Sequence, residues 1–110
     1  MKSDKPYLQH IQEAIGKIEE YTSVGRELFM EQTHWQDAVI RKLEIIGEAT
    51  KHLSQEIKKQ HTEIEWRRIA GLRDVLIHDY MGVDLNAVWD ITQKDIPSLK
   101  TIITEILSQY

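Results

Sequence analysis

A chain of 110 residues with 41% apolar content can bury one core and is too short for two comfortable ones, so residues 1–110 are expected to form a single domain. With no cysteine, disulfides and thiolate metal sites are excluded; with no apolar signal region and no run near the ~20 residues of a membrane span, the expected setting is the cytoplasm. A formal net charge of -4 argues against general, charge-driven nucleic-acid binding, yet leaves room for a local basic cleft.

Over residues 4–23, Leu8, Ile11, Ile15, Ile18 and Thr22 recur at three- and four-residue steps, which predicts an amphipathic helix. Asp4 is its expected N-cap, with Pro6 tolerated in the first turn. Gly16 weakens that helix by about 1 kcal/mol relative to Ala, or marks close packing. Gly25 is expected to interrupt the chain before a short RELFMEQ segment. A second long helix is predicted over 33–59, with Thr33 as N-cap and Val39, Leu43, Ile46, Leu53 and Ile57 on its buried face. Ile40, Ile45 and Ala49 widen that stripe, the pattern of a helix with two neighbours or a partner subunit. Residues 64–80, IEWRRIAGLRDVLIHDY, read as the third helix, and Gly82 as its stop signal. Asp84 is expected to cap a fourth helix, which Pro97 kinks or divides before the apolar face of Ile96, Leu99, Ile102, Ile103 and Ile106. No segment alternates with a two-residue period, so the expected fold is all-α, a bundle of four to five helices.

The third helix concentrates the usable chemistry. Arg73 is a permanent cation whose planar fork suits phosphate oxygens, and His78 is a residue type that titrates near neutral pH. A phosphodiester attacked by its own ribose 2′-hydroxyl needs both: proton transfer at the entering and leaving oxygens, and stabilisation of charge on the phosphoryl oxygens. That reaction needs no metal and no cofactor, and the isolated His10, His34, His52 and His61 lack zinc-site spacings. Asp74 can orient the guanidinium or hold one histidine tautomer. Tyr80 can bond the substrate backbone or stack on a base, and Arg67 and Arg68 can extend a positive groove. Glu44 and Glu48 are expected to be solvated or paired with Arg41 or Lys51, a role for Glu48 beside the site being the alternative. At ~100° per residue, Arg73 and Tyr80 share a line while His78 lies about 140° from Arg73. Either the helix ends near Ile77 and re-aims His78, or two chains combine their residues across a symmetry axis.

The chain resembles the HepT-like branch of the HEPN superfamily (higher eukaryotes and prokaryotes nucleotide-binding domains). RDVLIHDY carries the Arg-x4-His-x-Tyr motif through Arg73, His78 and Tyr80; RKLEIIGEATKHL resembles the second-helix signature around Gly47-Glu48-Ala49; IEWRRIAGLRD and VDLNAVWDITQKDIPSLK resemble the lead-in and the C-terminal pattern. The resemblance implies a HEPN-type helical bundle that forms a homodimer, with paired Arg/His motifs in a composite cleft at the interface. It implies a metal-independent endoribonuclease acting on RNA (single-stranded, or tRNA or mRNA) as the toxin of a toxin–antitoxin pair. The implied partner is an MntA-type nucleotidyltransferase antitoxin, in a larger hetero-complex, which transfers AMP to the motif tyrosine, Tyr80. The competing expectation is a non-catalytic subunit that binds a nucleotide or docks the nucleotidyltransferase.

Overall fold

The structure is a computed structural model that describes residues 3–78 and 82–110. Its spine is a pair of long helices, α1 (Lys5–Thr22) and α3 (Thr33–Lys51). Leu8, Ile11, Ile15 and Ile18 of α1 are buried at helical spacing, as are Val39, Leu43 and Ile46 of α3. Two ring contacts fix their relative direction. Tyr7, at the start of α1, stacks on His52, just past the end of α3, with centroids 5.0 Å apart. Tyr21, near the end of α1, meets Trp35, near the start of α3. The pair is therefore antiparallel. The reversal runs through Gly25, at φ 93°, and the short α2 (Arg26–Glu31), which drops Phe29 into the core.

The helix expected over 33–59 is divided. His52 and Leu53 turn the chain, and Ser54, in extended conformation, caps a new helix, α4 (Gln55–Gln60), by accepting from the Ile57 N–H at 3.3 Å. Thr33 is the first helical residue rather than the cap, a position taken by Gln32. Asp4 flanks α1 without capping it. Its carboxylate instead accepts from the backbone N–H and hydroxyl of Ser54, at 2.8 and 2.7 Å, pinning the start of α1 to the start of α4.

The expected single helix over 64–80 is also divided. It becomes α5 (Trp66–Ala70), α6 (Leu72–Leu76) and a two-residue strand, β1 (Ile77–His78), paired antiparallel with β2 (Gly82–Val83). β-branched Val75 and Ile77 favour leaving the helix. The Leu76 carbonyl then accepts from the Asp84 N–H at 3.1 Å, and Gly82 takes φ 94°. Asp84 does cap the next helix, α7 (Leu85–Gln93), through the Ala87 N–H at 3.1 Å. The chain divides again at Lys94, so Pro97 falls in the first turn of α8 (Asp95–Leu107), where its missing donor costs nothing.

The result is an α-helical bundle of four longer helices, α1, α3, α7 and α8, and four short ones among the described residues, with a single two-residue strand pair. The two polar side chains buried among the described residues, Thr50 and Thr92, donate to backbone carbonyls one turn back. Trp66 is a core residue with its indole N–H on the His61 carbonyl, and the partly buried Trp89 packs against the core on Phe29. α3 packs against α1, α2, α5 and α6; of its widened stripe Ala49 is buried, while Ile40 and Ile45 are only partly buried against the core. Among the described residues only Leu28, Val83 and Tyr110 are large apolar side chains left exposed. No described helix is long and apolar enough to cross a membrane.

Candidate active site

The placement of Arg73 follows from one close approach. Gly47 sits in the middle of α3, and a Cβ there would stand 3.2 Å from the Ile69 carbonyl oxygen and 3.3 Å from that of Ala70. The missing side chain lets the end of α5 lie directly on α3. α6 follows at once, and Arg73, in its first turn, is exposed over a groove of about 420 Å³.

The groove runs along α3, from Arg41 past Glu44, Glu48 and Lys51 to His52, and its far wall carries Tyr7 and His10 of α1. Cations outnumber carboxylates there, Arg41, Lys51 and Arg73 against Glu44 and Glu48, on a chain whose net charge is -4. Lys51 and Glu48 form an exposed pair at 3.4 Å, worth little in water. Among the described residues Arg41 and Arg73 have no ion pair, so both guanidinium groups remain available to an anion.

The other expected site residues lie as follows. Asp74 is exposed on α6, and no ion pair links it to Arg73 among the described residues. Arg67 and Arg68 are exposed on α5 outside the groove, Arg68 held by Asp95 at 3.1 Å. Glu48 lines the groove. The His78 backbone belongs to β1 and pairs with Gly82, so it has left the helix that carries Arg73. Tyr80, as the candidate AMPylation site, lies outside the described residues. No group of three His, Asp or Glu residues that could hold a metal ion occurs among the described residues.

In the sequence His10 and His52 stand isolated, Arg41 reads only as a partner for Glu44 or Glu48, and Tyr7 belongs to no motif. The antiparallel pairing of α1 and α3 brings the start of the first against the end of the second, and no short-range spacing encodes that.

Residues 11–106 match the family described as Ribonuclease HepT-like. The chain belongs to the HepT-like ribonuclease family. Relatives in that family include "Probable ribonuclease HepT" of Thermococcus cleftensis, 50% identical over 100 residues, covering 90% of this chain and 91% of that one. "Putative RNase TTE0752" of Caldanaerobacter subterraneus is 42% identical over 110 residues, covering 99% of this chain and 98% of that one. A third, "Gamma-glutamylcyclotransferase and putative RNase MJ0434" of Methanocaldococcus jannaschii, is 47% identical over 109 residues. That match covers 98% of this chain and 49% of the relative, so the HepT-like chain spans about half of that protein. No solved structure matches the chain.

Proposed function

We propose that this HepT-like chain is a metal-independent endoribonuclease, the toxin of a toxin–antitoxin pair. The observation that carries the reading is the Arg73 guanidinium, exposed on the groove wall and without an ion pair among the described residues, in a chain whose relatives are named as ribonucleases. The ribose 2′-oxygen attacks phosphorus, its proton passes to a histidine base, and the bond from phosphorus to the 5′-oxygen breaks. A protonated histidine supplies the proton to that leaving oxygen. The products are a 2′,3′-cyclic phosphate and a 5′-hydroxyl. Arg73 stabilises charge on the non-bridging oxygens, and His78 provides the acid and base. Two copies of His78 meet both proton demands when two chains form a homodimer with a composite cleft. The turn of β1 away from α6 supports that geometry by taking His78 off the helical line that put it about 140° from Arg73.

Tyr80 is the proposed switch. Its phenolate attacks the α-phosphorus of ATP on an MntA-type nucleotidyltransferase, pyrophosphate leaves, and the AMP adduct repels and obstructs RNA. The acidic net charge favours a second reading, a nucleotide- or partner-binding subunit that does not cut RNA.

The deciding experiment incubates metal-free protein with single-stranded RNA in EDTA, wild type beside Arg73→Ala and His78→Ala. Cleavage leaving 2′,3′-cyclic phosphate ends is expected, with His78→Ala slower by ~10²–10⁴-fold. Undiminished cleavage by a folded His78→Ala protein overturns the assignment. Absence of cleavage by the wild type favours the binding subunit.

A further inference from the structure

One end of the groove, where the start of α1 meets the end of α3, has a different chemistry. Tyr7 and His52 are stacked there, centroids 5.0 Å apart and planes within 12°. Tyr7 is half-buried and packed against the core, whereas His52 is exposed, so the imidazole forms the outer face of the stack. Neither ring takes part in a side-chain hydrogen bond or ion pair among the described residues. A planar group laid on that imidazole extends an existing column without breaking any contact.

Every nucleobase has such a face, and base–aromatic stacking is how single strands are held without sequence preference. The neighbouring charges complete the match. Arg41 and His52 lie on the groove side of α3, about 16 Å apart along its axis at 1.5 Å rise per residue. A strand following the groove therefore meets the guanidinium groups of Arg41 and Arg73, neither in an ion pair among the described residues, and a ring platform at His52. The volume of about 420 Å³ is within the size range of small-ligand sites, roughly 300–1,000 Å³, and suits a nucleoside.

We propose that the Tyr7–His52 stack is a base platform for one nucleotide of single-stranded RNA, while Arg41 and Arg73 hold phosphates of other nucleotides along the same groove. The proposal rests on the ribonuclease reading for the role of Arg73, and it adds the residues that seat the strand. A free nucleotide and a protein partner are the other occupants that the test separates.

The test measures binding of the full chain to a labelled, 2′-O-methylated single-stranded RNA, which cannot be cleaved through its 2′-oxygen, so the result does not depend on nuclease activity. His52→Ala and Tyr7→Leu, checked for native helicity and thermal midpoint, are expected to weaken binding about 5- to 150-fold. Tyr7→Phe keeps the ring and is expected to bind like wild type. The readout specific to stacking is a cycle with RNA oligonucleotides carrying an abasic site at successive positions. At one position, wild type loses as much affinity as His52→Ala does on intact RNA, and His52→Ala loses nothing further.

Unchanged binding by folded His52→Ala and Tyr7→Leu proteins overturns the platform. So does an equal loss on intact and abasic RNA at every position, which would mark a general charge or folding effect. Binding of ATP but not RNA, sensitive to His52→Ala, replaces the strand by a free nucleotide. Binding of neither, with His52→Ala instead weakening capture of a nucleotidyltransferase, assigns the face to a protein. Wild type that binds through the stack but cleaves no natural RNA keeps the platform and removes the nuclease reading. Wild type that cleaves while the variants bind normally does the reverse.

Discussion

Gly16 and Gly47 both sit inside long helices, and their surroundings give them opposite roles. A Cβ at Gly16 meets nothing within 4 Å, so this glycine only weakens α1. Gly16→Ala is expected to stabilise the fold by up to about 1 kcal/mol, the helix-interior difference between the two residues. At Gly47 the same methyl meets two backbone carbonyl oxygens at 3.2 and 3.3 Å, and backbone cannot rotate aside as a side chain can. Overpacking typically costs about 1–3 kcal/mol, which outweighs a propensity gain of about 1, so Gly47→Ala is expected to lose up to roughly 2 kcal/mol. Because the carbonyls belong to α5, relaxation moves α6 and Arg73 with it, and RNA cleavage is expected to fall more than stability alone explains. Urea unfolding of both variants, beside their cleavage rates, checks the pair. A Gly47→Ala protein as stable and active as wild type would show that α5 does not need the close approach.

Two helices read as continuous in the sequence are broken in the structure, and the breaks have a common origin. Leu53 and Ile57 preserve the apolar step of α3 across the turn at 52–54, so the periodicity runs on while the backbone does not. The signal of the break was Ser54, an N-capping residue inside the pattern, and its confirmation was non-local: Asp4, fifty positions away, accepts two hydrogen bonds from it. Long, periodic helices with ordinary breakers, such as α1 ending before Gly25 and α7 starting at Asp84, were legible because the decisive contacts are local. The end of α6 at Leu76 was legible only as one of two alternatives, since it depends on β1 pairing with β2 later in the chain. The motif residues of the candidate site could be named from spacing, but the groove that Arg73 overlooks depends on α1 reaching the end of α3. The Asp4–Ser54 link offers a direct check on that element-level junction. Bonds to an ionised acceptor contribute about 1.5–3 kcal/mol each, less where partly exposed, so Asp4→Ala is expected to cost about 1–2 kcal/mol. Hydrogen exchange is expected to rise most in α4 and the first turn of α1. Exchange that rises uniformly would mean that the junction is not a local clasp.

At the scale of the whole molecule, an acidic chain that binds RNA must confine its attraction to one place. Arg41, Lys51 and Arg73 are the cations of the groove, and Lys51 already faces Glu48. If each neutralises one phosphate of a single strand, log affinity falls against log salt with a slope of about −0.7 per contact, or roughly −2 for one chain. A homodimer that joins two such grooves into one cleft doubles the contacts and brings the slope towards about −4. Titration of labelled single-stranded RNA across a salt series, at protein concentrations where the oligomeric state is known, reads this directly. Arg41→Ala is expected to shallow the slope by about 0.7 per chain without altering base preference, because a guanidinium on phosphate positions the strand and carries no sequence information. A slope that remains near zero would remove the phosphate contacts on which both the proposed cleavage and the proposed platform depend. One much steeper than about −4 would require a basic surface that the three groove cations cannot supply. The acidic remainder of the surface then acts in the same direction as the groove's shape. It disfavours long-range capture of RNA elsewhere on the molecule, so under the proposed function a strand is retained chiefly where Arg41, Arg73 and the His52 ring lie along one path.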